Sequence, residues 1–313
     1  MNYFKLPIYA LAAALMAAPT LANAWWWDDD DDDEEEPFDE ARLFFELNDT
    51  DGDLGIHGKI DGGPWKRMKI EGPDGRYERT LLNVRAYGKL RRQGMTELFF
   101  ESAEPKFVAE EEGDETLDPA VFFNRFKEGE YDIEGRTLDG EELESEVYLS
   151  HIIPAAPEVT MIGEASGPEE DECWVSGKGP DDDVIITWNE VTQSHFARWT
   201  DANGEPLDED KIPLGNPGMI DVLYYEFVVE VDETPWKATS IIPPGDGVTI
   251  SKTIPADFFA LTADDADGEY KFEILVRAKV RDEDGIVMVN IDGDIGPLPG
   301  NKSAVEDCFE YGS

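Results

Sequence analysis

The chain has 313 residues with 72 acids against 26 bases, a net charge of −46, and 41% hydrophobic content. A polyanion of this strength repels phosphate backbones and anionic lipid heads, which speaks against nucleic acid as a partner; cations, cationic partners and a saline setting are all compatible with it. The apolar content can supply real cores, and the length suits two domains of ordinary size.

In chain order, a short basic start (Met1 to Lys5) leads into an apolar run from Leu6 to about Ala18 and then the triplet Ala22-Asn23-Ala24. This order predicts a secretory signal peptide over 1–24, and therefore a protein exported to a periplasm or the cell exterior. The apolar run is too short for a membrane span, and no later stretch reaches the ~20 apolar residues that a transmembrane helix needs. Trp25-Trp26-Trp27 and nine consecutive acids, Asp28 to Glu36, follow. Residues 25–37 are expected to be a disordered acidic N-terminus, with the tryptophans either a binding anchor or part of a frayed end.

From residue 38 onward, short apolar runs with period-2 alternation dominate. Strands are expected at Leu43–Leu47, Gly55–Ile60, Trp65–Ile70, Thr80–Ala86, Thr96–Glu101, Tyr131–Leu138 and Val147–Ile153. One helix is expected from Asp118-Pro119 through Phe126, with Asp118 as its cap and Pro119 in its first position. Asp-Gly pairs at 51–52, 61–62, 74–75, 139–140, 246–247, 267–268, 284–285 and 292–293 make hairpins the default connection. Pro154-Ala-Ala-Pro157 marks a boundary. Beyond it lie a strand at Val184–Trp188, a long loop from Gln193 to Met219, and strands whose inward faces are Tyr225, Phe227, Val229, Val231 and Phe272, Ile274, Val276, Ala278, Val280. The expected class is all-β: two tandem β-sandwich domains at 38–152 and 153–292, then a C-terminal tail at 293–313.

Pro157-Glu158-Val159, the strand carrying Trp188, the Tyr225 strand and Tyr270-Lys-Phe-Glu-Ile-Leu-Val-Arg-Ala278 together resemble a fibronectin type III module over about 154–292. The resemblance implies a core Trp188 on the second strand, Tyr270 opening the sixth, and a final hairpin at Asp284-Gly285. Three features depart from the pattern: longer first and third loops, a longer spacing from Leu261 to Tyr270, and a total above the usual ~100 residues of such sandwiches. An immunoglobulin-like sandwich is the alternative. The stretches Thr50–His57, Pro73–Arg76 and Leu98–Pro105 also resemble a group of exported bacterial proteins, which implies export and nothing more.

Two cysteines, Cys173 and Cys308, are expected to pair in an oxidising compartment and close a loop of about 135 residues. Asp49-Thr-Asp51-Gly-Asp53-Leu-Gly55 sets acids at alternate positions, as a calcium loop does, and Asn290-Ile-Asp292-Gly-Asp294-Ile-Gly296 repeats the spacing. Leu54 stands where such a loop has glycine, and Ile60 where it has its bidentate acid, with Asp61 one residue late. The stretch is therefore read as a hairpin turn, with calcium as the alternative and Asp49, Asp51, Asp53 and Asp61 as its ligands. Phe196 and Trp199 are a candidate ligand platform in the long loop, or pins holding that loop to the core.

Carboxylate pairs are uninformative among so many acids, and the common nucleophile, zinc and phosphate-loop patterns do not occur. Ser194-His195 are neighbours in sequence, which does not by itself build a triad. The expected function is a non-catalytic exported binding protein with a protein or glycan partner. The alternatives are a calcium-dependent adhesion or glycan-binding module, and an accessory chain of an extracellular hydrolase.

Overall fold

The computed structural model describes residues 35–73, 75, 78–107, 115–168, 173–195, 215, 218–245, 247–266, 268–280 and 299–312. The predicted signal peptide, Trp25–Trp27, Phe196, Trp199 and the second acidic repeat at 290–296 lie outside these residues.

In β1 (Glu40–Asn48), Leu43, Phe45 and Leu47 point to one face, and Arg42, Phe44 and Glu46 to the other. The chain reverses through Asp49–Gly52 into β2 (Asp53–Gly72); Gly52 has φ 71° and its N–H bonds to the Asn48 carbonyl at 2.9 Å. The Asp51-Gly52 turn is thus a hairpin, as expected.

Asp61-Gly62 is not. Strand β2 runs through it for 20 residues, with its register slipping between Asp61 and Trp65, so two expected strands are one. Gly62 is not among the positive-φ glycines, and without that geometry an Asp-Gly pair makes no hairpin turn. Its glycine instead admits Phe38, which would stand 3.0 Å from an added Cβ.

β2 is flanked in its first half by β1 and β4 (Met95–Glu101), and in its second half by β3 (Arg79–Arg85) and β5 (Gly129–Thr137). β5 pairs with β6 (Glu142–Leu149) across the turn at Gly140 (φ 105°). Two short helices sit in this half rather than the one expected. α1 (Gly88–Gln93) buries none of its residues. α2 (Pro119–Arg125) has the predicted cap: the Asp118 carboxylate accepts from Ala120 N at 2.8 Å, and Phe122 inserts into the core.

The second half contains β7 (Glu158–Ile162), β8 (Trp174–Val175), β9 (Val184–Asn189), β10 (Val222–Glu230), β11 (Lys237–Ile242), β12 (Thr249–Ile254), α3 (Ala256–Ala266), β13 (Glu269–Lys279) and β14 (Pro299–Glu310). One sheet has the order β12-β9-β7, and the facing one β11-β10-β13-β14. Setting aside the two-residue β8, the first, second and fifth strands oppose the third, fourth, sixth and seventh. This is the layering of an immunoglobulin-like sandwich, with the fourth strand beside the third. Trp188 falls on the second strand with 0% exposure, packed on Tyr225 and Phe227, and Tyr270 opens the sixth, fully buried. The long spacing before Tyr270 is helix α3, whose Phe259 stacks on Tyr311 and whose Thr262 hydroxyl meets the Tyr270 hydroxyl at 3.0 Å.

The expected C-terminal tail is corrected. Residues 299–310 form β14, antiparallel to β13 and parallel to β1, with Glu46 beside Lys302. It makes one 11-stranded sheet of both halves, along the path β11-β10-β13-β14-β1-β2-β5-β6, with β3 and β4 branching from β2 and β8 from β14. Two hydrophobic cores lie under this sheet, one from residues 38–153 and one from 162–311. The boundary expected near 153 therefore separates two cores while the sheet continues across it.

β14 also explains why the strand predicted to run to Ile153 stops at Leu149. Asn301, on the core side of β14, donates to the carbonyls of Ser150 (2.7 Å) and Ile152 (2.9 Å) and accepts from Phe45 N (2.8 Å). Ser303 donates to Pro154 O at 2.5 Å. The linker's carbonyls thus find partners beneath the sheet instead of in it, as buried backbone groups must. Cys173 and Cys308 form the expected disulfide, Cα atoms 4.8 Å apart, where β8 runs parallel to the end of β14.

Candidate functional site

Alternation puts charged side chains on the face of the large sheet away from the cores, and register brings those of β1, β2, β4, β13 and β14 together at the end of the β1–β2 hairpin. Phe44 pairs with His57, Glu46 with Gly55, and Asn48 with Asp53 across β1 and β2. His57 faces Glu101 on β4; Lys302 lies between Glu46 and Arg277, and Glu306 beside Glu273.

The hairpin acids have separate partners. Asp49 Oδ1 lies 2.9 Å from Nε2 of the fully buried His195, and its N–H reaches Ala304 O. Asp51 accepts from the Asn48 amide at 3.1 Å. The Thr50 hydroxyl bonds to both N and O of Glu306, clamping the turn to β14. Asp53 opens β2, where burial, then the neighbouring Asp51, raise its carboxyl above the usual range. Asp61 pairs with Glu40 at the far end of the hairpin. Eight residues of strand, roughly 26 Å, separate it from Asp53. The structure thus gathers Asp49, Asp51 and Asp53 at one turn and leaves Asp61 apart from them. Among the described residues, three potential metal-ligating atoms come within 4.8 Å of one another at Cys173, Glu269 and Cys308, where both sulfurs are already joined in the disulfide.

The centre of the cluster was not anticipated from sequence. His57, 3% exposed, is held between two carboxylates: Nδ1 lies 3.4 Å from Glu46 and Nε2 lies 3.2 Å from Glu104. Its ring stacks on Phe44, whose other neighbours are the Arg277 guanidinium at 4.2 Å and the Lys302 ammonium at 5.4 Å. Lys302 also pairs with Glu46.

Gly55 makes the arrangement possible. A Cβ there would lie 2.7 Å from Glu104 Oε1 and 3.1 Å from His57 Nε2, so the missing side chain is the notch that receives the Glu104 carboxyl. Burial, followed by Asp53, Glu101 and Glu46, pushes Glu104 up to about 7. Burial lowers His57 against the opposing pull of Glu46. Glu306 and Glu273 are also raised, by burial first and then by carboxylate neighbours. In chemical terms the turn is a set of crowded carboxylates that gains by taking up a proton or a cation. No local pattern marks His57 and Glu104: they are 47 residues apart and meet only through the β2–β4 register.

No family model matches the chain, and no curated protein does. Among solved structures, similarity is found to a 1.5-MDa bacterial ice-binding adhesin at 8% identity and TM-score 0.23, covering 88% of this chain and 66% of that one. The FN1–FN3 domains of chicken contactin align at 8% identity and TM-score 0.24, covering 78% and 63%. A Ca2+-stabilized adhesin from an Antarctic bacterium aligns at 11% identity and TM-score 0.22, covering 87% and 50%. The chain thus spans half to two thirds of the length of these structures, and likenesses this distant assign neither a family nor a function.

Proposed function

We propose that the chain is an exported, non-catalytic binding module, its second half of fibronectin type III character, that takes an extended protein segment by strand addition at β11. The observation that carries this is the edge of the large sheet. At the opposite end, β6 is covered by Glu36, whose N–H and carbonyl bond to Glu142 O and Glu144 N. Among the described residues no strand covers the outer side of β11.

Lys-Ala-Thr-Ser-Ile-Ile has one charge and no proline to discourage pairing, Ile241 is 62% exposed, and Trp236, just before the strand, is 39% exposed. Such an edge offers main-chain hydrogen bonds to an incoming strand and side-chain contacts for selectivity. In a chain of net charge −46 it is a nearly uncharged ledge, so the partner segment is uncharged or basic. The disulfide fits an exported protein, and among the described residues no helix is long and apolar enough to cross a membrane.

A photo-cross-linking side chain at Thr239, tested in cells that export the protein, is expected to capture a discrete adduct that Ile241→Lys abolishes. A chain that cross-links no better from Thr239 than from Thr253, exposed on the other sheet, is not using this edge.

The acids Asp49, Asp51 and Asp53, set at alternate positions on one turn, support calcium-dependent adhesion as a second reading. It predicts a rise of several degrees in the melting temperature at millimolar calcium, lost in the double variant Asp51→Ala, Asp53→Ala. A melt indifferent to calcium removes it.

A further inference from the structure

We infer that Glu104 and His57 form a one-proton latch that holds the segment Ser102–Phe107 against β2 in mildly acidic medium and loosens it as the medium becomes alkaline. This stands independently of the binding reading. After β4 the chain continues along the edge of β2 as a strap. Ser102 N bonds to Ile56 O at 2.9 Å, the Ser102 hydroxyl accepts from Ile56 N at 3.1 Å, the backbone of Lys106 forms an isolated antiparallel β-bridge with that of Asp53, and Phe107 N reaches Gly52 O at 3.1 Å. Phe107 then packs edge-on against Phe122 in the core. Between these attachments the strap makes one inward polar contact with the cluster, Glu104 in the Gly55 notch against His57 Nε2.

The groups facing the pair come from every neighbouring element: Glu46 from β1, Asp53 from β2, Glu101 from β4, Arg277 from β13 and Lys302 from β14. In the neutral imidazole tautomer with its proton on Nδ1, which lies 3.4 Å from Glu46 without a hydrogen bond to it, the Nε2 lone pair accepts from a protonated Glu104. The two sites share one proton, so they titrate as a pair. Burial favours the arrangement with that proton on the carboxyl.

Loss of the proton to solvent leaves a carboxylate in the notch, facing the Nε2 lone pair and three further acids. The anion is then better hydrated outside, and Glu104 leaves with the middle of the strap. The folded-state value of Glu104, about 7, lies above its ordinary 4.5. The latch's contribution is therefore complete below about 4.5 and disappears as pH rises through 7.

Amide hydrogen exchange on the intact, disulfide-bonded chain tests this. Between pH 5.5 and 8.5, after correction for intrinsic exchange, protection at Ile56 and Phe107 should fall about tenfold, while Ile274 in the centre of β13 stays constant. Glu104→Gln keeps a neutral donor in the notch and should make that protection independent of pH. His57→Gln removes the proton partner and should displace the midpoint, as should the carboxyl-carbon titration of Glu104 read by NMR. Unchanged wild-type protection across the range, an E104Q chain that loosens as the wild type does, or a Glu104 carboxyl titrating near 4.5 would each overturn the latch.

Discussion

Asn301 shows how much one side chain can organise. Its amide oxygen completes the backbone of β1 at Phe45, where the β1–β14 ladder has not yet begun, and its NH2 satisfies two linker carbonyls. All three partners are buried or nearly so, and a buried donor or acceptor left unpaired costs about 1–3 kcal/mol. Asn301→Ala is therefore expected to lower stability by about 3–5 kcal/mol in urea denaturation, at the large end for a single residue. Asn301→Asp separates the hydrogen-bonding account from simple packing. The acid keeps the acceptor for Phe45 N, but only its protonated form can donate to a carbonyl. Burial beside two carbonyls raises its folded value above the unfolded one, so this variant's stability should decline as pH rises through the acid range. An N301D chain as stable at pH 7 as at pH 4 would show that the contacts to Ser150 and Ile152 contribute little.

At the scale of elements, what could be read from sequence was whatever is encoded locally. Alternation located β1, β3, β4, β5, β9, β10 and β13 within a few residues; Asp118-Pro119 located α2; Trp188 and Tyr270 marked the second core. The failures are elements whose reasons lie elsewhere in the chain. β14 carries Asn301 and Ser303 where a strand usually shows apolar residues to its core, because those positions serve the linker 150 residues earlier, and its polar content reads as a tail. β8 has two residues and exists beside β14 through the Cys173–Cys308 bond and the Trp174 indole donating to Asp307 at 2.8 Å. α3 did show a helical spacing in Phe258, Phe259, Thr262 and Ala266; its N-terminus is completed from outside, by Asp183 accepting from Ala256 N. The acidic turn was legible as a turn, whereas its involvement with His195, Glu306 and β14 needed the parallel β1–β14 pairing, which joins the two ends of the described chain and leaves no local signature.

For the whole molecule, that pairing decides whether two cores behave as one protein. Tandem sandwiches joined end to end by a Pro-rich linker would unfold separately, each with its own edges. Here β14 is a strand of the second half's sandwich and a neighbour of β1 in the first half, so no open edge is left at the seam. Polar stitches lock the same seam from both faces: Asn301 and Ser303 on the core side, and Glu46–Lys302 with Arg277 over Phe44 on the other. The Asp49–His195 pair ties the first hairpin to the loop after β9. The acidic excess works against compactness, and self-repulsion of that kind is relieved by unfolding, by salt or by uptake of protons or cations. A molecule so stitched should melt as one unit. Scanning calorimetry at fixed ionic strength is expected to show a single transition with calorimetric and van't Hoff enthalpies in agreement. The double variant Asn301→Leu, Ser303→Ala keeps β14 in place but removes its bonds to the linker, and should broaden that transition or split it as the cores begin to part. Two resolved transitions in the unmodified chain would mean that the continuous sheet does not couple the cores, and that β14 belongs energetically to the second sandwich alone.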